Sequence, residues 1–154
     1  MKSIAICFLL AGASVMVADA PTFSLWTPDN VKQVGKDLAA KLNAQGLASQ
    51  RLADMGNYNF ALALRKQSGA VEIHQKMADI FVVESGEADL VTGGTVVGQS
   101  AAGPNELRGT AIEGGAEHHL TAGDVLTIPA GMPHQMKVPA GKEVLYMAIK
   151  VVQP

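Results

Sequence analysis

The chain has 154 residues, of which 48% are apolar and 17% charged, and its formal charge at pH 7 is −2. This length suits one domain with a substantial core, and the apolar content excludes an intrinsically disordered chain. The 12 basic residues form no run or stripe, which argues against a nucleic-acid partner and against binding to a membrane surface.

The first 20 residues have the pattern of a secretory signal peptide. Lys2 gives a positive start, residues 4–17 are apolar or small, and Ala18-Asp19-Ala20 offers a cleavage site. About 14 apolar residues are fewer than the roughly 20 that span a bilayer, so a cleaved signal is favoured over an anchor. We therefore expect a periplasmic or secreted protein with no membrane contact after cleavage. Cleavage would also remove Cys7, the single cysteine.

Residues 21–56 are predicted to form an N-terminal helical segment. Thr27 can cap a helix that begins at Pro28, and Gly46 is its predicted end. The apolar side chains between them recur at three- and four-residue spacing, as one face of an amphipathic helix requires; they are Val31, Val34, Leu38 and Leu42. We expect this face to pack on the rest of the domain or on a second copy.

Residues 57–154 show a different pattern, with short apolar or alternating runs separated by turn residues. Their spacing of roughly 8–12 residues predicts an all-β barrel or sandwich. Gly93-Gly94 predicts a two-residue hairpin, and residues 99–106 form the longest predicted loop. The predicted strands are Tyr58–Lys66, Val71–His74, Asp79–Val83, Ala88–Thr92, Leu107–Glu113, Glu117–Leu120, Val125–Ile128, His134–Val138 and Glu143–Val152.

The most specific stretch of the sequence runs from Gly123 to His134. It reads Gly-Asp-Val-Leu-Thr-Ile-Pro-Ala-Gly-Met-Pro-His, which predicts a tight turn, a buried strand, a second turn and a histidine at the start of the next strand. The spacing Gly-x5-Pro-x-Gly-x2-His resembles the second motif of the cupins, in which this histidine is a metal ligand. Cupins usually have an asparagine four residues further on, where this chain has Val138.

The first cupin motif is present in an altered form. It normally reads His-x-His, then Glu, then Gly seven residues after the Glu, and here Asp79 lies seven residues before Gly86. This alignment places Glu72 and His74 at the two histidine positions. Residues two apart on a strand share a face, with α-carbons roughly 6.5–7 Å apart, so these two side chains can converge on one ion. Asp79 is shorter than the usual glutamate by one methylene.

The resemblance covers residues 58–152 and implies a small single-domain cupin. The implied fold is all-β, a double-stranded β-helix or jelly-roll barrel formed by residues 57–154, with one N-terminal α-helix. The implied metal ligands are two imidazoles and one or two carboxylates, from Glu72, His74, Asp79 and His134. This donor set contains no sulfur and suits a divalent transition metal, namely Fe(II), Mn(II), Ni(II) or Zn(II).

Three functions remain open for such a site. The first is a metal-dependent enzyme that acts on a small oxygenated molecule by dioxygenation, isomerisation or decarboxylation, with Glu72 as a ligand or as the general base. The second is a non-catalytic barrel that binds a small molecule or a metal. The third is a cupin that has lost its metal. A fold alone does not decide among them.

The remaining partner prediction is a homodimer. Sheets leave edges that favour pairing with a second copy. Small cupins commonly pair through an N-terminal strand, and Tyr58–Lys66 is the candidate for it here, since its apolar side chains alternate.

Overall fold

The computed structural model describes residues 23–153, so the predicted signal peptide, residues 1–20, lies outside the described residues. Within residues 23–153, no helix has the length and the apolar character that crossing a membrane requires.

One helix, α1 (Pro28–Ala39), precedes the strands. The Thr27 side chain accepts the N–H of Asn30 at 3.3 Å, and the Asn30 side chain accepts the N–H of Thr27, which closes a capping box. The helix ends at Ala39 and not at the predicted Gly46, because the chain turns at Asn43. The Asn43 side chain there accepts the backbone N–H groups of Gln45 and Leu47, and these local bonds replace helical ones.

Twelve strands follow in residues 23–153. They are β1 (Leu47–Asp54), β2 (Tyr58–Arg65), β3 (Val71–His74), β4 (Met77–Thr92), β5 (Thr95–Val97), β6 (Ser100–Gly103), β7 (Glu106–Gly109), β8 (Ala111–Glu113), β9 (Ala116–Thr121), β10 (Val125–Ile128), β11 (His134–Lys137) and β12 (Val144–Val152). The prediction of a mostly β fold with one N-terminal helix is therefore confirmed.

Ten of these strands form a curled antiparallel sheet whose two halves face each other across a core, and β5 and β8 form a separate two-stranded sheet. One half contains β1, β2, β12, the first part of β4 and β10, and the other contains β9, the second part of β4, β11, β3, β7 and β6. The buried side chains between the halves include Phe81, Leu90, Ile128, Met136 and Tyr146. The apolar face of α1 packs outside, against β1, β2 and β12, through a second cluster that contains Leu38, Leu62 and Leu145.

The strand β4 passes from one half of the sheet to the other at Gly86. The sequence predicted two strands here, with Ser85-Gly86 as a break between them, and the structure has one strand with an irregularity at this point. Gly86 has a φ of +79°, and a Cβ on it would lie 2.0 Å from the backbone oxygen of Glu143. Glycine is therefore required at this bend by both conformation and space.

The hairpin predicted at Gly93-Gly94 is wrong in its pairing. Both glycines have positive φ, as a tight turn requires, but β5 pairs with β8 and not with β4. The second part of β4 is already paired on both edges, with β9 and β11. No edge of it is free to accept β5.

Three strands lie where the sequence predicted none. The segment 21–56 contains β1 as well as the helix, β5 follows Gly93-Gly94, and the predicted loop 99–106 contains β6. The strand β1 pairs with β2 along its length, while β2 also pairs with β12. Both edges of β2 are therefore occupied within the chain, and a homodimer would have to form through a different surface.

Candidate metal centre

The strand β3 carries two of the predicted ligands on the inner face of the sheet. Glu72 lies directly opposite His134 of β11 on one side and Arg108 of β7 on the other. His74, two residues further along β3, lies opposite Glu106. Since cross-strand partners share a face, these five side chains belong to one patch of the inner surface.

The opposing half of the sheet contributes two further side chains. Asp79 of β4 and Lys150 of β12 are direct cross-strand partners. The Lys150 Nζ donates to Asp79 Oδ1 at 2.7 Å and lies 2.8 Å from the Nε2 of His74. The site is therefore closed by both halves of the sheet.

The structure brings the four predicted ligands together. One ligand atom from each of Glu72, His74 and His134 lies within 4.8 Å of the other two. The Asp79 Oδ2 lies 3.2 Å from His74 Nε2 and 3.5 Å from His134 Nε2. Asp79 is 1% exposed and each histidine 4%, whereas the side chain of Glu72 is 29% exposed and lies at the mouth of the site.

The two histidines are oriented by hydrogen bonds to their outer nitrogens. His74 Nδ1 lies 2.7 Å from a carboxylate oxygen of Glu106, which Arg108 holds at 2.9 Å. His134 Nδ1 donates to the backbone oxygen of Met132 at 3.1 Å. Because each Nδ1 carries a hydrogen, each Nε2 can present a lone pair to the centre, as it does in histidine metal sites.

Three charged residues of this site were missed by the sequence analysis, namely Glu106, Arg108 and Lys150. A signal for Lys150 was present, because it follows Val144, Tyr146 and Ala148 at two-residue spacing and therefore shares their inward face. Glu106 and Arg108 share a face in the same way, but charged side chains on a strand are usually solvated.

The carboxylates of the site remain ionised in spite of burial. Burial raises the pKa of Glu72, but the hydrogen bond with His74 and the charge of Arg108 outweigh it and lower the pKa to about 2. Burial also raises the pKa of Asp79, and its contacts with His74 and Lys150 outweigh this effect and lower the pKa. Two negative charges therefore face the centre at neutral pH.

The histidines differ in their protonation. Burial lowers the pKa of His134, so the ring is neutral at neutral pH. Burial also lowers the pKa of His74, but the carboxylates of Asp79 and Glu72, which lie 3.2 and 3.3 Å from its Nε2, outweigh burial and the charge of Lys150 and raise the pKa to about 9. Only one hydrogen fits between His74 Nε2 and Lys150 Nζ, which lie 2.8 Å apart. This hydrogen bond therefore forms when the ring is neutral and its Nε2 accepts from the ammonium.

The donor atoms fit a metal ion. Asp79 Oδ2 is buried and has no hydrogen-bond partner among residues 23–153, yet it faces two imidazole nitrogens at 3.2 and 3.5 Å. When His74 is neutral, as a metal ligand must be, the lone pairs on these three atoms repel one another unless a positive charge lies between them. Two imidazole nitrogens and carboxylate oxygens suit a divalent transition metal; they belong to His74, His134, Asp79 and Glu72.

Two cavities lie near the site and differ greatly in size. The inner one, lined by Glu72, His134, Arg65 and Tyr146 among others, has a volume of about 20 Å³, which is enough for one water molecule. The outer one has about 560 Å³ and lies between β9 and β10, with an apolar floor and His118 and His119 at its rim. The outer cavity therefore has the size of a small-molecule site, and the inner one does not.

The protonation states predict how the stability of the metal-free protein depends on pH. The raised pKa of His74 contributes stability that is complete below about pH 6.5 and is lost as pH rises through about 9. His134, with its lowered pKa, destabilises the fold as pH falls below about 6.5, because the unfolded chain takes up the proton first. Glu72, with its lowered pKa, adds a further loss of stability as pH falls from 4.5 towards about 2. We expect a maximum near pH 6.5 in urea unfolding with chelator present.

The control for this pH profile is His74→Gln, which removes the alkaline loss and leaves the loss of stability that His134 causes below about pH 6.5. A wild-type free energy of unfolding that stays constant or rises between pH 6.5 and 9 would contradict the assignment to His74.

Comparison with known proteins agrees with this fold. A family model described as the AraC-like ligand binding domain matches residues 80–154, and a search of curated proteins gives no match. Among solved structures, an uncharacterised Klebsiella pneumoniae protein with a double-stranded β-helix domain has a TM-score of 0.53 and 15% identity, over 71% of this chain and 80% of that one. The chain has a cupin-type fold.

Two further matches among solved structures have names that describe enzymes. An oxalate oxidase matches with a TM-score of 0.51 and 18% identity, over 71% of this chain and 53% of that one. A predicted oxalate decarboxylase from Thermotoga maritima matches with a TM-score of 0.52 and 14% identity, over 70% of this chain and 81% of that one. The chain spans about half the length of the oxalate oxidases that it matches. At these identities the similarity establishes the fold alone.

Proposed function

We propose that the protein is a metal-binding cupin and an enzyme that acts on a small oxygenated molecule. The observation that carries the proposal is the buried, unpartnered Oδ2 of Asp79 between the Nε2 atoms of His74 and His134. A solvated surface cluster would not bury a carboxylate oxygen without a partner.

Each side chain has a distinct role in this proposal. His74 and His134 hold the ion, and the carboxylates of Asp79 and Glu72 complete and neutralise the ligand set. The bound ion would supply a Lewis acid with open positions for an oxygenated substrate. Reaction types that fit these parts are dioxygenation, isomerisation and decarboxylation.

Glu72 is a better ligand than general base. A base works best when its pKa lies near the working pH, whereas the pKa of Glu72 is lowered to about 2. Its position at the mouth, opposite Arg108 at 3.9 Å, also lets it contact an arriving substrate. If Glu72 acts as a base, its contacts with Arg108 and His74 must first be broken.

A second candidate function is a non-catalytic barrel that binds a small molecule. The cavity of about 560 Å³ favours it, because this cavity is of ligand size and none of the four candidate metal ligands lines it. The match to a ligand binding domain points the same way. Binding of an organic ligand to chelator-treated protein would separate this function from a metal-dependent one.

Export and dimerisation remain proposals from the sequence. The signal-like pattern of residues 1–20 supports a periplasmic or secreted location, and N-terminal sequencing of protein from its native host would locate the cleavage site. The free edges of β1 and β6 are surfaces for a homodimer, and light scattering would give the mass in solution.

Metal analysis tests the proposed function directly. Protein purified without a chelator or a histidine tag is expected to contain close to one equivalent of a divalent transition metal, measured by inductively coupled plasma mass spectrometry. Added metal should raise the melting temperature of chelator-treated protein, because the ion binds only the folded state. A metal content well under a tenth of an equivalent, together with no such shift, would show that this is a metal-free binding barrel.

A further inference from the structure

The ammonium of Lys150 lies where the predicted ligands converge. Its Nζ is 2.8 Å from His74 Nε2 and 2.7 Å from Asp79 Oδ1, so it contacts two of the four candidate ligands. The lone pair of His74 that it engages is the one that an ion would use, because the other ring nitrogen donates to Glu106. An ion and this ammonium cannot engage that nitrogen together.

The charges of the site explain why a cation is needed there at all times. Three carboxylates, from Glu72, Asp79 and Glu106, face two side-chain cations, from Arg108 and Lys150, which leaves one negative charge when the His74 ring is neutral, as metal binding requires. Asp79 is 1% exposed, and a buried carboxylate without a partner is strongly destabilising. Lys150 therefore partners it in the absence of metal, and a divalent ion in place of the ammonium would neutralise the cluster.

The position of Lys150 also allows it to leave. Its side chain is 29% exposed, and the aliphatic stem of a lysine can turn towards solvent while its backbone stays in the strand. Lys150 is fixed opposite Asp79 by the register of β12 and β4, so the ammonium remains tethered near the centre after it is displaced.

We propose that Lys150 is a built-in cation that takes the place of the metal in the metal-free protein and must be displaced when metal binds. This inference rests on the proposed metal-binding function. It adds that Lys150 determines how tightly the metal binds. Lys150 weakens metal binding by the cost of breaking two charge-assisted contacts, and it stabilises the protein before the metal arrives.

The experiment compares Lys150→Met with the wild type and with Lys142→Met. Lys142 pairs with Glu87 at 3.1 Å on the surface, so its variant removes the same charge away from the site. Titration of chelator-treated proteins with Zn(II) is expected to show binding about ten- to a hundredfold tighter for Lys150→Met. Without metal, Lys150→Met should melt several degrees lower than the wild type, and Lys142→Met should match the wild type in both measurements.

Each other outcome overturns the inference in a distinct way. Equal Zn(II) affinity for Lys150→Met and the wild type shows that the ammonium does not compete, and weaker binding shows that it assists; in both cases the metal function stands. An unchanged melting temperature without metal shows that Asp79 does not need this partner. Absence of Zn(II) binding in all three proteins overturns the metal function as well. Lys150→Gln, which keeps a hydrogen-bond donor, replaces the methionine variant if that variant does not fold.

Discussion

His134→Ala is expected to abolish metal binding and the stabilisation that metal gives. His134 is 4% exposed and its Nδ1 donates to the Met132 oxygen, so its Nε2 is held towards the centre, and the variant loses one of the two imidazole donors. A free metal concentration of a hundred times Kd stabilises the folded state by about 2.7 kcal/mol, which corresponds to a rise of roughly 5–10 °C in the melting temperature. We expect the wild type to show this rise on Zn(II) addition and His134→Ala to show none.

Two variants make this result specific to the site. His119→Ala removes an exposed histidine that pairs with Asp89 at 2.8 Å, and it should bind metal as the wild type does. His134→Gln keeps a polar side chain of similar size and should fail to bind metal while remaining folded. Retention of stoichiometric metal by His134→Ala would mean that the ion binds elsewhere, and the assignment of the centre would be wrong.

The parts of the fold that were predicted well are those that local chemistry determines. The turn residues of the stretch Gly123–His134 fix where β10 begins and ends and where β11 starts, and the predicted Val125–Ile128 agrees with the structure at both ends. The prediction that this strand is buried is wrong, since Val125 is 66% exposed. The strand Val71–His74 also agrees, since short apolar runs between turns leave little choice.

The errors arise where distant strands decide the outcome. Ser85-Gly86 has the same local signal as a turn, but the backbone of Glu143 lies against Gly86 and continues the pairing through it. Gly93-Gly94 adopts the backbone of a tight turn, yet pairing of β4 with β9 and β11 sends the next strand elsewhere. A single sequence shows where a turn can form, but it does not show which distant strand pairs with the segment that follows.

The site was predicted in the same uneven way. Motif spacing gave Glu72, His74, Asp79 and His134, and the structure brings all four together. The position of Lys150 depends on the register between β12 and β4, which places it opposite Asp79. Its charge favoured a solvent-exposed position for the Lys150 side chain, and the two-residue alternation of β12 was the one pattern that favoured the inward face.

Asp79→Ala is expected to be the most destabilising single change in the site. Removing one partner of a buried ion pair costs about 3–5 kcal/mol, because the other charge remains without its partner. Asp79 is 1% exposed and accepts from Lys150 at 2.7 Å. Because the side chain of Lys150 is 29% exposed, we expect a loss at the lower end of this range, about 3 kcal/mol of the free energy of unfolding. Urea unfolding with chelator present measures this loss.

The cause can be assigned with a double variant. In Asp79→Ala with Lys150→Met neither charge remains, so we expect at least about half of the lost free energy of unfolding to return, a coupling of about 1.5 kcal/mol or more. Glu117→Ala, which breaks the exposed pair with Lys137 at 3.3 Å, should cost less than about 1 kcal/mol. If the double variant is as unstable as the sum of the two single variants, the pair is not what holds Asp79 in the core, and the built-in cation is lost as an explanation for its burial.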